Sequence, residues 1–384
     1  MTAVLVTGAR APSALEIIRG LASGGYKVHA ADCQDIVISK FSKAVIQYHF
    51  LASPRHEFEK FRSQILSIVK KYDIKYIIPT CEEVFYLAFI HERCPDEFPE
   101  DLNFIVGSYK DISVLHHKVN YKNILNTYNI RTPRTFLFES LEQLENYKNL
   151  KLIFKPVYSR YANKIIISAE KFTKYYKNNL NIKNTQWAVQ EFIDGKEICC
   201  YGIAVNGRLT AFSCYEPVYR AGVGAGIYFK AIYHQEIKNL IQNLVAGLNY
   251  SGQIAFDIIL KDGIPYFIEC NPRATSGVHL FKNKKLASAL MGTAADCLEV
   301  TDSTPKMLLA AMLIYGPKNF IKYNFRPLIR DFRMAKDVVY DTHDSGPFFA
   351  QFKIMRSLIA KSLFNKSELL DLTVNDIVYE GEIN

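Results

Sequence analysis

The sequence has 384 residues, 49% hydrophobic and 22% charged, with 25 Phe, 24 Tyr, 19 Gly and 14 Pro. That length predicts two or three domains, and the composition excludes a disordered or low-complexity chain. The formal charge is +9, with no Lys/Arg block dense enough for a nucleic-acid arm, so it suits an anionic small substrate at least as well as a polyanion.

In chain order the elements first alternate. Ala3–Thr7 reads as an apolar strand, Gly8–Pro12 as a turn, and Ser13–Ser23 as a helix closed by Gly24-Gly25. Met1–Thr7 lacks a basic leader and a cleavage site, so it reads as that first strand and not as a signal. Tyr26–Ala31 is a second strand ending at Asp32. Phe58, Phe61, Ile65, Ile68 and Val69 mark one face of a helix, and Tyr76–Pro79 is the next strand. This is the rhythm of a parallel α/β layer. Residues 114–130 read as a helix, and Lys151–Pro156, Lys164–Ser168 and Ala188–Ile193 as short strands. From Glu197 the pattern turns antiparallel, with strands at 197–206, 208–216 and 227–234, a helix at 235–248, and strands at 253–260 and 264–270. Residues 300–384 form a mixed tail punctuated by Pro and Gly. Its apolar run Met307–Tyr315 is the longest in the chain and falls far short of the ~20 residues that span a bilayer. Eight cysteines show no C-x-x-C pair and no His at zinc spacing. They read as buried, reduced thiols of a cytoplasmic protein, with Cys199 and Cys200 on opposite faces of a strand.

The strongest local signal runs from Asp257 to Arg273. Asp262-Gly263 reads as a hairpin turn, which sets Asp257 and Glu269 nearly opposite each other on antiparallel neighbours. Glu269 and Asn271, two apart, share a face, while Ile268 and Cys270 face the core. Two carboxylates and an amide oxygen make a hard-oxygen site suited to Mg²⁺, and Arg273 follows within reach of the same phosphates. A solvated hairpin with ordinary surface charges is the alternative.

Four features add to it. Lys118 sits on the expected helix after His116-His117, and Lys155 ends an apolar strand, where an ammonium needs an anionic partner. The stretch Gln190–Glu197 joins a strand to a turn, and its connecting backbone could meet a flat adenine edge. Arg220 precedes glycines at 222, 224 and 226, a segment that could approach phosphates, act as a lid, or be a plain hairpin loop.

In order and spacing these residues resemble the ATP-grasp superfamily, which includes biotin carboxylase, carbamoyl phosphate synthetase and D-alanine–D-alanine ligase. The resemblance spans roughly residues 1–300. It implies an α/β and α+β fold: a Rossmann-like parallel domain over 1–110, then the two parts of an ATP-grasp fold with antiparallel sheets over 111–195 and 196–300, with an extension at 301–384. It also implies that Lys118 and Lys155 bind phosphate, that Gln190, Glu191, Phe192 and Ile193 form the adenine hinge, and that Glu197 accepts from the ribose hydroxyls. Asp257, Glu269 and Asn271 resemble the Mg²⁺ ligands, and Arg273 the arginine that stabilises an acyl-phosphate step. Ser159 and Arg160 are placed to contact phosphate, and Arg220 to meet an anionic group. The cofactors implied are ATP and Mg²⁺, as two ions, with Mn²⁺ as a substitute. The implied activity joins a small-molecule carboxylate to an amine through an acyl phosphate, releasing ADP and phosphate. A phosphotransferase or a nucleotide-binding regulator without turnover are the alternatives. No nucleic-acid or membrane partner is expected, and a homodimer is.

Two features depart from the family. The loop Val157–Asn163 has no glycine where the family's is Gly/Ser-rich, and residues 301–384 match nothing in the shared core. Within the latter, the run Asp331–Phe349 is expected either to close over the acceptor site or to build a dimer. Weaker signals are read as structural: Gly8-Ala-Arg10-Ala-Pro-Ser13 with Asp32 lacks two glycines of a dinucleotide loop, and Trp187 and His279 read as core. Thr80-Cys81-Glu82-Glu83 fits a ligand site or a helix start equally well.

Overall fold

A computed structural model of the chain describes residues 1–147, 149–158, 165–179, 185–221, 224–281, 283–320, 325–365 and 374–383. Its first layer is a parallel sheet with helices, made of β1 (Ala3–Thr7), α1 (Pro12–Ser23), β2 (Lys27–Asp32), β3 (Gln47–Phe50), α2 (Phe58–Tyr72), β4 (Ile74–Ile78), α3 (Glu83–Arg93) and β5 (Asn103–Phe104). The strand order is β3-β2-β1-β4-β5. Proline in the first turn sets the start of α1, and Phe61, Ile65, Ile68 and Val69 form the buried face of α2.

The turn after β1 is filled by the chain itself. A Cβ on Gly8, at φ +68°, would lie 2.6 Å from Thr80 Oγ1 and 2.7 Å from Glu83 Oε1. Arg10 is held by Asp32 and by Asp376, the latter at 2.5 Å. Glu83 Oε1 accepts from the N–H groups of Thr80 and Cys81, and Glu82 Oε2 from that of Tyr379. The space of the turn is thus filled, and each glutamate has one carboxylate oxygen in a contact with the backbone.

The helix expected over 114–130 is two helices, α4 (Tyr109–His116) and α5 (Tyr121–Thr127). His117 adopts an extended backbone, and its Nδ1 accepts from Val119 N (3.2 Å) and Asn120 N (3.1 Å). A side chain that takes amide protons normally given to helical carbonyls breaks the helix. Lys118 therefore sits in the break and not on a helix.

A second sheet, in the order β6-β9-β7-β8, contains β6 (Thr135–Leu137), β7 (Leu152–Pro156), β8 (Ile166–Ile167) and β9 (Trp187–Glu191), with α6 (Ala169–Asn178) on it. In its core Phe154 stacks on Phe172, and Trp187 meets Phe172 edge to face.

The third sheet is built from β10 (Lys196–Val205), β11 (Arg208–Ala221), β12 (Ala225–Ile232), β13 (Gly252–Lys261), β14 (Ile264–Asn271), β15 (Leu298–Glu299), β16 (Lys306–Met307) and β17 (Lys336–Asp337). The path runs β14-β13-β10-β11-β12-β16-β17, and β15 pairs with β11. Helix α7 (Gln235–Gly247) shares a core with Ile198, Cys200, Cys214, Phe256, Ile258, Phe267 and Cys270. Asp262 (φ 51°) and Gly263 (φ 79°) make the β13–β14 hairpin turn with both central residues left-handed, which pairs Lys261 with Ile264 and, in the same register, Ile258 with Phe267. One expectation needs correction. A bulge at Ile268, between the Ile258–Phe267 and Asp257–Glu269 pairs, brings Asp257 opposite Glu269, so Phe267 joins Cys270 in the core and Ile268 is only half-buried.

Helix α8 (Asn283–Leu290) packs on α1 so closely that a Cβ on Gly24 would come within 2.4 Å of Ala287 Cβ. The remaining helices are α9 (Leu309–Phe320), α10 (Phe325–Met334) and α11 (Gly346–Asn365). The run Asp331–Phe349 clamps onto α1: Arg19 donates to Asp344 at 2.9 Å and to the carbonyls of Val339 and Asp344.

Candidate active site

Lys155 ends β7 with 5% exposure, and its Nζ lies 3.0 Å from Gln190 Oε1. The amide of Gln190 is fixed in turn, with Nε2 3.2 Å from each of Tyr121 OH, Thr135 Oγ1 and Ile268 O. Burial lowers the pKa of Lys155, while Glu269 opposes that. The partner expected for this lysine was an anion, and the structure gives it a neutral amide. Gln190, expected on an exposed hinge, is 2% exposed and acts on Lys155.

Lys118 approaches the same place from the helix break, with Nζ 3.5 Å from Glu269 Oε1. Burial works to raise the pKa of Glu269, but Lys118, Lys155, His116 and Arg273 together hold it below the ordinary value. The pKa of Asp257, across the ladder, is held up despite the opposing charge of Arg220. Burial first, then Glu269 and Glu197, push it up to about 6, and the Cys199 thiol donates to its Oδ1 at 3.2 Å. His116 is held near neutral imidazole, its pKa lowered to about 3 by burial and then by Lys118 and Arg273. Its Nδ1 is buried with no hydrogen-bond partner among the described residues.

Asn271 is 7% exposed, and its Oδ1 accepts from Arg273 Nη2 at 3.0 Å. Arg273 Nε is buried with no hydrogen-bond partner among the described residues. Arg220 forms an ion pair with Glu197 and donates to the carbonyl of Gly224. Along the expected hinge, Glu191 N–H donates to Arg134 O and Phe192 N–H to Lys151 O, both at 2.8 Å. The Phe192 ring lies 3.6 Å under Lys151 Nζ. Ile193 lies two residues past the end of β9. Ser159 and Arg160 lie outside the described residues.

Three cations, Lys118, Lys155 and Arg273, thus face one carboxylate held ionised and one whose pKa is raised. That excess of positive charge, with an orphaned guanidinium N–H, fits the phosphates of a nucleotide. The adjacent oxygen donors of Asp257, Glu269 and Asn271 fit a hard cation such as Mg²⁺. Reading the sequence did not single out Cys199 or Tyr121 as partners of site residues. Their signal was only register: Cys199 pairs with Asp257, and Tyr121 follows Lys118 by three.

A family model described as an ATP-grasp domain matches residues 115–277, a span that holds every residue of this site. The large chain of carbamoyl phosphate synthase from Thermoanaerobacter sp. (strain X514) is 22% identical over 185 residues, which is 44% of this chain and only 17% of that one. Among solved structures, N5-carboxyaminoimidazole synthetase from Staphylococcus aureus superposes with a TM-score of 0.64 at 12% identity, covering 84% of this chain and 86% of that one. The biotin carboxylase domain of Hydrogenobacter thermophilus 2-oxoglutarate carboxylase, solved with MgADP and bicarbonate, gives 0.59 at 14% identity, covering 76% and 70%. At such identities the structural likeness is one of fold. Residues 115–277 thus match the ATP-grasp domain, and the fold that surrounds them is similar to that of these enzymes.

Proposed function

We propose that the protein is an ATP- and Mg²⁺-dependent carboxylate–amine ligase. The observation that carries this reading is the convergence of two buried lysines from separate segments, Lys118 and Lys155, on Glu269. Lys118 and Lys155 neutralise phosphate charge, Gln190 aims Lys155, and Ile193 with its neighbours Glu191 and Phe192 borders the adenine. Glu197 meets the ribose. Asp257, Glu269 and Asn271 hold Mg²⁺, which when bound neutralises further phosphate charge. Arg273 is the donor beside the oxygens that gain charge as the γ-phosphoryl group moves to the substrate carboxylate. ADP leaves, the amine attacks the acyl carbon, and phosphate departs as the nitrogen loses its proton. The names of the structural neighbours, synthetases and ligases among them, support a reaction that forms a C–N bond.

The domain division at 110, 195 and 300, a cytoplasmic setting and a homodimer belong to the same proposal. The test is incubation with ATP, Mg²⁺ and pools of carboxylates and amino acids. ADP and phosphate together with a new amide are the expected products. ADP without phosphate would instead mark a phosphotransferase, and neither product would refute catalysis.

A further inference from the structure

A cleft of about 890 Å³ opens between α1, the short turn at Ser276–Leu280 and the β16–β17 edge of the third sheet. Its walls bring two like charges side by side. Lys306 and Lys336 are direct partners on adjacent parallel strands, and both line the cleft. Like charges placed opposite each other in a sheet repel. One acid serves both: Asp302, which lies 3.7 Å from Lys306 and is felt by Lys336. The acids on the cleft wall are engaged elsewhere, Asp341 by the N–H of His343 at 2.7 Å. Glu16 binds His279 at 3.0 Å, Glu299 pairs with Lys238, and Asp337 accepts from the N–H groups of Leu309 and Tyr340.

The register ties this cleft to the active site. Glu269 is opposite Asp257, Asp257 opposite Cys199, Cys199 opposite Tyr215, and Tyr215 opposite Ala231. Phe229 shares the face of Ala231, Lys306 is opposite Phe229, and Lys336 is opposite Lys306. All therefore lie on one face of one sheet. Between β13 and β16 there are four strand spacings of ~4.8 Å, so the lysines stand on the order of 20 Å from the carboxylates. His279 stacks over Phe229 at 6.3 Å, partway along that face.

We propose that Lys306 and Lys336 form a second anion site that grips a carboxylate or phosphate group of the non-nucleotide substrate, at the end remote from the reacting centre. The inference rests on the ligase reading for the word substrate, but the anion site stands without it. A concave cleft of this size suits a small organic ligand, and an anion between the two lysines relieves their repulsion. The substrate is thus an extended molecule with a charged tail.

The experiment is calorimetry on the full chain with citrate and with inorganic phosphate as probes, comparing wild type with K306Q/K336Q. At least one probe should bind wild type and bind the double variant roughly tenfold or more weakly, the scale of lost charge-assisted contacts. MgATP affinity should stay within about twofold, because neither lysine touches the nucleotide site. A preference for citrate marks a carboxylate tail, and one for phosphate a phosphorylated tail. Equal probe affinity in both proteins, or no binding to wild type, overturns the proposal. The melting temperature should hold or rise in the variant, which separates a lost site from a lost fold. Absence of ADP and phosphate release, with probe discrimination intact, would remove the ligase reading alone.

Discussion

Lys155 and Gln190 form a buried pair in which an ammonium donates to a neutral amide at 3.0 Å. Burial lowers the lysine's pKa, so the free protein holds this charge at a cost. In the proposed function a nucleotide phosphate is the partner that would remove the cost. Lys155→Met should therefore raise the melting temperature of the free protein, because an apolar chain of similar shape replaces a poorly compensated charge. The same change should weaken ATP binding by roughly 1.5–3 kcal/mol. Thermal melts and calorimetry on one preparation check both halves, and a fall in stability without loss of affinity would contradict the reading.

Asp257 should make the site sensitive to pH. Its folded pKa of about 6 lies above the ordinary 3.8, so the folded protein keeps this proton longer than the unfolded chain. The contribution to stability is then full below about pH 4 and is lost as pH rises through about 6. Asp257→Asn should remove that loss and leave the free protein more stable than wild type near neutral pH, by on the order of 2 kcal/mol. Metal binding runs the opposite way, because it needs the ionised carboxylate. Wild-type affinity for MgATP should climb from about pH 5 to about pH 7, and the climb should shrink in Asp257→Asn. Titrations across that range, on both proteins, decide it.

Glu269→Gln separates fold from chemistry. Its neighbours on the ladder, Phe267 and Cys270, carry the core packing, and Glu269 itself faces Lys118 at 3.5 Å. Losing the carboxylate should abolish ADP release while unfolding stays cooperative, with a midpoint shifted by no more than about 1–2 kcal/mol. Wild-type turnover in this variant would remove Glu269 from the metal site.

The β13–β14 hairpin was legible because its determinants are local. Asp262-Gly263 demands a two-residue turn, and strand periodicity then brings Asp257 within one residue of Glu269, the bulge at Ile268 completing the pair. The helix break at Lys118 was not legible, because it depends on where the His117 ring points, and no periodicity encodes that. The bulge at Ile268 was missed for a related reason: one extra residue leaves the apolar pattern intact while changing which side chain faces in. Gln190 looked like a hinge residue because its partners, Tyr121 and Thr135, are 69 and 55 positions away. Chemistry-bearing residues could be named from spacing, but what orients them is long-range.

Tyr379 shows the same limit in the tail. It is 2% exposed, stacks on Phe85 at 4.3 Å, and its hydroxyl meets Tyr109 and Ser113. Phe85 also abuts His116, two residues before Lys118. Tyr379→Ala should cost about 3–5 kcal/mol in urea unfolding, the range for emptying a buried aromatic site. Because the cavity opens beneath the Lys118 segment, ATP affinity should fall as well, and Tyr379→Phe should restore most of both. A shift below about 1 kcal/mol would mean that the tail is not anchored there.

Arg220 is held by Glu197 on one side and by the carbonyl of Gly224 on the other. That arrangement ties the β11–β12 connection to the strand beside Asp257, since Cys199, two residues after Glu197, donates to that carboxylate. If this connection shields the acyl phosphate from water, a side chain at Gly224 should disturb the shield before it disturbs nucleotide binding. Gly224→Val should then release more phosphate per amide formed, with MgATP affinity within about twofold of wild type. Arg220→Gln should raise the same ratio, because the glutamine cannot keep the charged contact with Glu197. A plain hairpin loop would respond in stability alone. The ratio of phosphate to amide, measured beside a melting curve for each variant, distinguishes the two, and an unchanged ratio at normal turnover would make the connection a bystander.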